Sequence, residues 1–138
     1  MTSKNFYKNK NILVIGGSFG IGEELCKEFA LLGANLAIVA RSKDKIDKLR
    51  KDLKGRHLSI ACDVLQKREL DKLSKILLQK WKRIDIVIFC VGTFHPMNVE
   101  NFDLQKAQNV MDINFNSFLN FIDSFLPIFK KKKIAHLA

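Results

Sequence analysis

A glycine-rich turn stands between a strand pattern and a helix pattern near the start of the chain. It reads Gly16-Gly17-Ser18-Phe19-Gly20-Ile21-Gly22 and directly follows the apolar run Ile12 to Ile15. The first N–H groups of a helix and the positive end of its dipole attract phosphate, and glycines let a pyrophosphate approach the backbone because they lack Cβ. The pattern therefore predicts a phosphate-binding turn, at which Ser18 could also cap the helix. The alternative is a tight turn that needs glycine only for positive φ.

Charged side chains follow the next two apolar runs. Arg41 comes directly after the run Leu36 to Ala40, and Asp63 comes directly after the run His57 to Cys62. In dinucleotide-binding folds the residue after the second strand meets the adenosine ribose. A guanidinium at this position would bind a 2′-phosphate through charge-assisted hydrogen bonds, a gain of about tenfold or more in affinity. Arg41 therefore predicts NADP rather than NAD, with an ordinary surface arginine as the alternative.

Asp63 has two interpretations. Its carboxylate could accept a hydrogen bond from the exocyclic amine of an adenine that lies beyond the third strand. The segment Asp63-Val64-Leu65-Gln66 also resembles a capping box, in which the carboxylate would accept from N–H groups of the following helix. The sequence leaves both interpretations open.

Strand patterns and amphipathic helix patterns alternate along the whole chain. This alternation predicts βαβ units around a parallel sheet with both faces covered, a Rossmann-type, doubly wound α/β fold of three α/β/α layers. Ligands bind such sheets beyond the carboxyl ends of the strands, where the glycine turn, Arg41 and Asp63 all lie. The predicted strands are Ile12 to Ile15, Leu36 to Ala40, His57 to Cys62, Ile84 to Cys90 and a fifth that begins within Ile134 to Ala138.

The predicted helix from Leu104 to Leu126 is apolar over much of its circumference. One side carries Val110, Ile113, Phe118, Phe121 and Phe125, and another carries Phe115, Leu119 and Ile122. A helix that is apolar on two sides has two surfaces to bury. One side can face the sheet, and the other suggests a partner such as a second subunit. Pro127 and the run Lys130 to Lys133 are expected to end this helix.

Composition and charge set the remaining expectations. The 138 residues, of which 47% are hydrophobic, predict one dinucleotide-binding domain over 1–138, with residues 1–10 as a flexible lead. The net charge of +10 would attract anions, but most of it lies on lysines scattered over polar helix faces. Cys26, Cys62 and Cys90 fall within apolar patterns, which favours free core thiols over metal ligands or disulfides. No signal peptide or membrane-spanning run stands out, so we expect a cytoplasmic protein without membrane or nucleic-acid partners.

Taken in order, these motifs resemble the short-chain dehydrogenase/reductase family from about Lys10 to Ala138. The family turn Thr-Gly-x-x-x-Gly-Ile-Gly is matched from Ile15 to Gly22, with Ile15 in place of the threonine. Arg41 resembles the basic residue of NADP-preferring members. Cys62-Asp63-Val64 resembles the Asp-Val segment that lies against adenine.

Two further segments extend the resemblance. Phe89-Cys90-Val91-Gly92 stands where the family has Asn-Asn-Ala-Gly, and Asp112-Ile113-Asn114 resembles the Val-Asn segment whose asparagine belongs to the catalytic tetrad. A buried amide satisfied by backbone groups is the alternative for Asn114. The resemblance implies Asn114 as a catalytic residue, no metal, and the following cofactor-binding residues: Gly16, Ser18, Phe19, Gly20, Ile21, Gly22, Arg41, Asp63, Val64, Cys90, Val91 and Gly92.

The remaining family motifs are absent from this sequence. The family serine after the fifth strand and the Tyr-x-x-x-Lys of the next helix have no counterpart, and the one tyrosine, Tyr7, precedes the first strand. Without a placed proton donor, hydride transfer to a carbonyl should be lost or very slow. We therefore interpret the sequence as the cofactor-binding half of an NADP-dependent oxidoreductase acting on a carbonyl or alcohol, truncated at the fifth strand. The alternatives are a degenerate copy that binds dinucleotide without catalysis and, supported only by the charge, a nucleic-acid-binding protein.

Overall fold

The computed structural model describes residues 3–132 and 136–138, and helices and strands alternate along them. The strands are β1 Asn11–Ile15, β2 Asn35–Ala40, β3 Leu58–Ala61, β4 Ile86–Phe89 and β5 His136–Leu137. The helices are α1 Ser3–Tyr7, α2 Gly20–Leu31, α3 Lys43–Asp52, α4 Lys67–Lys80, α5 Leu104–Met111 and α6 Ser117–Lys132, with a π-helical turn over Asp112–Asn116 between the last two.

The strands form one parallel sheet in the order β3-β2-β1-β4-β5. β1 is central, with Ile12 opposite both Leu36 of β2 and Ile86 of β4. Strands that are consecutive along the chain are connected through helices, as the alternating sequence pattern predicts. The α/β fold expected from the sequence is therefore confirmed.

Successive residues of each strand enter two different cores, because side chains alternate across a sheet. Leu13 and Ile15 of β1 pack with α4 and α6, where Phe121 and Phe125 are fully buried. On the opposite face, Ile12 packs with apolar residues of α2 and α3. Both faces are thus covered by helices, which explains why the strand sequences are continuously apolar.

Several element boundaries differ from the predictions. β3 and β4 are shorter than the apolar runs that contain them, because residues at the ends of those runs lie beyond the paired register. Of the predicted fifth strand, residues 134 and 135 lie outside the described residues, while His136–Leu137 pairs with β4.

The prediction that Pro127 ends the long helix is wrong, since α6 continues through it to Lys132. Proline removes one helical hydrogen bond. Phe125 and Ile128 are buried on either side of it, and this packing holds the helix together.

The segment before β1, for which a flexible lead is expected, contains the short helix α1. The Tyr7 ring packs against Phe29 of α2, with centroids 5.1 Å apart. The Asn9 N–H donates to the Gly33 carbonyl at 2.9 Å. These contacts attach the segment to the end of α2, and its flexibility stays a prediction.

Candidate functional site

A cleft of about 580 Å³ opens at the carboxyl ends of β1 to β4. Nine of the predicted site residues line it: Gly16, Ser18, Phe19, Arg41, Asp63, Val64, Cys90, Val91 and Gly92. The four segments that carry them follow four different strands, and the parallel sheet brings them to one edge. Ile15, Ala40, Ser42, Lys45, Cys62, Leu65, Thr93 and Ile113 complete the lining.

The glycine turn is held by very close backbone approaches. A Cβ on Gly16 would lie 2.6 Å from the Cys90 carbonyl oxygen, and one on Gly22 would lie 2.1 Å from the Gly16 carbonyl oxygen. Gly16 (φ +90°) and Gly20 (φ +59°) also adopt the left-handed region that favours glycine. The turn therefore needs glycine at positions 16 and 22 for space.

The start of α2 faces this turn. Its N-cap residue is Phe19, which makes no side-chain capping bond. The predicted capping role of Ser18 is therefore not observed, and Ser18 lines the cleft instead. The first turn of α2 contains Gly20, Ile21 and Gly22. Gly20 and Ile21 are exposed, whereas Gly22 is buried against Gly16. The orphan N–H groups of such a turn are suited to an anion.

Two cationic residues line the cleft where β2 leads into α3. Arg41 follows β2, Ser42 is the N-cap of α3, and Lys45 lies in the first turn of that helix. Lys45 was expected only as one of many scattered surface lysines. Its spacing of four residues from Arg41 is the signal that could have identified it.

Asp63 lies between β3 and α4 and is half-buried. Its Oδ1 accepts from the Leu65 N–H at 3.0 Å, and the Asp63 N–H donates to Oε2 of Glu69 at 2.7 Å. The N-cap residue of α4 is Gln66. The predicted capping box starting at Asp63 is therefore wrong in register: Asp63 closes the turn before the helix, and Glu69 reaches back from the first helical turn.

The corner after β4 is anchored on β1, because the Cys90 N–H donates to the Ile15 carbonyl at 2.7 Å. Two cysteines reach the cleft. Burial raises the pKa of Cys90, and burial, followed by the charges of Glu69 and Asp63, raises the pKa of Cys62 to about 12. Both groups are therefore neutral thiols at pH 7, and this wall of the cleft carries no thiolate.

Asn114 lies in the π-helical turn and holds the loop that follows β4. Its Oδ1 accepts from the Thr93 N–H at 2.6 Å, and its Nδ2 donates to the Thr93 carbonyl at 2.8 Å. The amide is thus satisfied by backbone groups, as the alternative interpretation predicts, but the side chain is exposed rather than buried. Thr93, which sequence reasoning missed, brings this pair to the cleft wall next to Gly92.

A family profile described as short chain dehydrogenase matches residues 10–137. The chain belongs to the short-chain dehydrogenase family. Curated relatives include uncharacterized oxidoreductases of Staphylococcus epidermidis, 25% identical over 130 residues, and of Listeria innocua, 28% identical over 133 residues. These alignments cover 94% of this chain and 56% and 54% of the respective relatives. The chain thus spans about half the length of the curated relatives it matches.

Solved short-chain dehydrogenases share the fold. One from Mycobacterium smegmatis superposes with a TM-score of 0.84 at 22% identity, covering 91% of this chain and 53% of the other. One from Bacillus anthracis gives 0.84 at 24% identity, covering 93% and 54%. Over residues 3–132 and 136–138, no helix combines the length and hydropathy needed to cross a membrane.

Proposed function

We propose that this chain forms the NADP-binding part of an oxidoreductase that passes hydride between nicotinamide and a carbonyl or alcohol. The observation that carries the proposal is the single cleft that joins the glycine turn to Arg41. The turn leaves no room for a Cβ at Gly16 or Gly22, and it presents the start of a helix to the same space. A dinucleotide with a 2′-phosphate fits this combination of an anion-binding turn and a cation.

Each side of the cleft has a role in this proposal. Ser18 and the first turn of α2, with Gly20 and Ile21, hold the pyrophosphate, and Gly16 and Gly22 keep that turn compact. Phe19 covers the same turn, since it lines the cleft and is 69% exposed. Arg41 binds the 2′-phosphate. The nicotinamide supplies or accepts the hydride when it is bound.

The other two sides bind the ring systems. Asp63 and Val64 lie against adenine, with one Asp63 carboxylate oxygen engaged by Leu65 and the other available to an amine. Cys90, Val91 and Gly92 line the nicotinamide side. Asn114 positions this wall through the Thr93 backbone, which is a supporting contribution to the reaction.

We further propose that the chain by itself binds dinucleotide without turnover. Carbonyl reduction needs a proton donor beside the developing oxyanion. Tyr7 packs on Phe29 near the amino end of β1, away from the cleft. The thiols of Cys62 and Cys90 have raised pKa values, which makes them weak acids. A non-catalytic dinucleotide-binding protein is the second candidate, favoured by the apolar Phe89-Cys90-Val91 corner.

Two finer inferences about the surroundings belong to the proposal. The free thiols of Cys26, Cys62 and Cys90 support a reducing, cytoplasmic location. We also propose that the chain has no membrane or nucleic-acid partner, since its excess lysines are scattered over polar helix faces. Phe115 of the π-helical turn and Leu119 of α6 are each about half exposed and lie one turn apart. We infer that this face pairs two subunits.

The test is a titration of the purified full chain with NADPH and NADH, together with turnover assays on carbonyl substrates. NADPH should bind more tightly than NADH. Arg41→Asp should reverse that order, because a carboxylate repels the 2′-phosphate and accepts from a 2′-hydroxyl. Arg68→Asp on the exposed surface of α4 is the matched control and should leave the order unchanged. An unchanged order in Arg41→Asp would remove Arg41 from the site, and failure of both nucleotides to bind would end the proposal.

A further inference from the structure

The first turn of α3 places a second cation beside Arg41. Arg41, Ser42 and Lys45 all line the cleft. Helical side chains point back toward the N-terminus of their helix and cover the preceding turn. Lys45 is the third residue of α3, so this trend favours a side chain that extends back over the turn beginning at Ser42, next to Arg41.

The neighbouring lysine has a different environment. Lys43 Nζ contacts both carboxylate oxygens of Asp47 one turn further along α3, at 3.1 and 3.0 Å. Its charge is therefore already compensated. Lys43 and Lys45 thus lie in the same helical turn and are both exposed, but only Lys45 lines the cleft.

The backbone at this turn adds a second attraction for an anion. Ser42 is the N-cap of α3 and makes no side-chain capping bond, so its hydroxyl is not occupied by the helix. The helix is ten residues long, and its first N–H groups lie at the positive end of the dipole. Asp44 in the same turn carries a negative charge that offsets one cation. With both Arg41 and Lys45 present, this end of the cleft keeps a net positive charge.

We propose that Lys45 is a specificity-determining residue that binds the 2′-phosphate of NADP together with Arg41 and Ser42. This inference rests on the proposed function of the cleft and adds a residue to it. A phosphate held between a planar guanidinium and a compact ammonium receives two charge-assisted hydrogen-bonding partners. The ribose 2′-hydroxyl of NAD offers neither cation a negative charge.

The test compares Lys45→Ala with Lys43→Ala in the full chain. Affinities for NADPH and NADH are measured by calorimetry or fluorescence, and thermal unfolding verifies that each variant is folded. Lys45→Ala should weaken NADPH binding by about tenfold and change NADH binding by less than about twofold, since only NADPH carries the extra phosphate. Lys45→Arg should retain most of the affinity for NADPH, and Lys43→Ala should bind both nucleotides like the parent chain.

A second readout isolates the phosphate itself. Lys45→Ala should bind adenosine 2′,5′-bisphosphate more weakly than the parent chain does. Its affinity for adenosine 5′-monophosphate should be unchanged. Added salt should weaken NADPH binding more steeply in the parent chain than in the variant, because screening acts on the removed charge.

The outcomes separate the two proposals. Preference for NADPH that survives unchanged in Lys45→Ala, while Arg41→Asp abolishes it, overturns the role of Lys45 and leaves the proposed function intact. Equal losses in Lys43→Ala and Lys45→Ala would show a general charge effect and would also overturn it. If the parent chain binds neither nucleotide, the proposed function and this inference fail together.

Discussion

At the scale of single residues, Gly20 and Gly22 occupy neighbouring positions with different constraints. Gly20 has φ +59°, but the space around its missing Cβ is open. Gly22 lies within α2, where alanine would normally be favoured, yet its Cβ would meet the Gly16 carbonyl at 2.1 Å. One glycine is thus needed for its backbone angle and the other for space.

We therefore expect Gly22→Ala to destabilise the chain by about 3 kcal/mol and to abolish nucleotide binding, because the turn must open to admit the methyl group. Gly20→Ala should cost only about 1 kcal/mol, the strain of a left-handed alanine. Urea unfolding measures both changes. A Gly22→Ala chain as stable as Gly20→Ala would contradict the close approach.

The sequence could identify a site residue when its position just after a strand is enough to fix its location in the fold. Arg41, Asp63 and Gly92 come within three residues of the ends of strands, so a parallel sheet brings them to one edge whatever the details of packing. Lys45 and Thr93 could not be identified in this way. The direction of Lys45 depends on where α3 begins, and Thr93 reaches the cleft wall through a bond from a helix 21 residues away.

At the scale of elements, the existence of the strands and their parallel pairing were predictable, but the interruption of the long helix was not. A continuous apolar pattern from Leu104 to Leu126 gives no sign of the π-helical turn at Asp112–Asn116. That turn depends on tertiary contacts, including the bonds from Asn114 to Thr93. Likewise, the continuation of α6 past Pro127 depends on the burial of Ile128, which local propensity does not reveal.

Helices α4 and α6 are joined by a polar cluster above their apolar contact. Asp71 of α4 accepts from Ser124 of α6 at 2.8 Å, and Lys67 of α4 bridges Asp71 at 2.8 Å and Asp123 of α6 at 3.1 Å. The hydrogen bond from Lys67, and then that from Ser124, lower the pKa of Asp71. The cluster thus links the helix pair through a charged carboxylate.

Asp71→Asn should reduce stability at pH 7 and have less effect in acid. A carboxyl whose pKa is lower in the folded state contributes stability above its unfolded pKa of about 3.9, and that contribution is lost as the pH falls through the folded value. Urea midpoints at pH 7 and at pH 3 measure this difference. Asp52→Asn, on α3 across the sheet, is the control, and a deficit that is equal at both pH values would exclude the ionised cluster.

At the scale of the whole molecule, the face of the long helix that points away from the sheet carries an apolar stripe. Its exposed members recur at intervals of four and seven residues, which is one or two helical turns: Met111, Phe115, Leu119 and Leu126. Ile122, which the sequence predicts on the same side, instead packs against the core. An exposed apolar stripe of this kind is typical of helices that pack against a partner. It supports the inference that two subunits meet at this face.

Leu119→Asp should therefore shift the chain toward monomer, because pairing would bury a carboxylate at the centre of the stripe. Leu31→Asp is the control, since Leu31 is 82% exposed on α2, in the opposite helix layer. Sedimentation over a range of concentrations measures the change. If the parent chain is itself monomeric, or if both variants dissociate alike, the stripe is not the interface.

The central position of β1 has a kinetic consequence. β1 is the first strand along the chain, yet one of its neighbours, β4, arrives only after the whole of β2, β3 and α4. The Asn11 N–H donates to the Asp85 carboxylate across 74 residues, so this contact closes a very long loop. Closing such a loop costs entropy before pairing compensates for it, and folding rates fall as contacts become less local. On the ribosome, one edge of this buried central strand must therefore stay unpaired until β4 emerges, so during that interval the nascent chain exposes an apolar strand edge to other molecules.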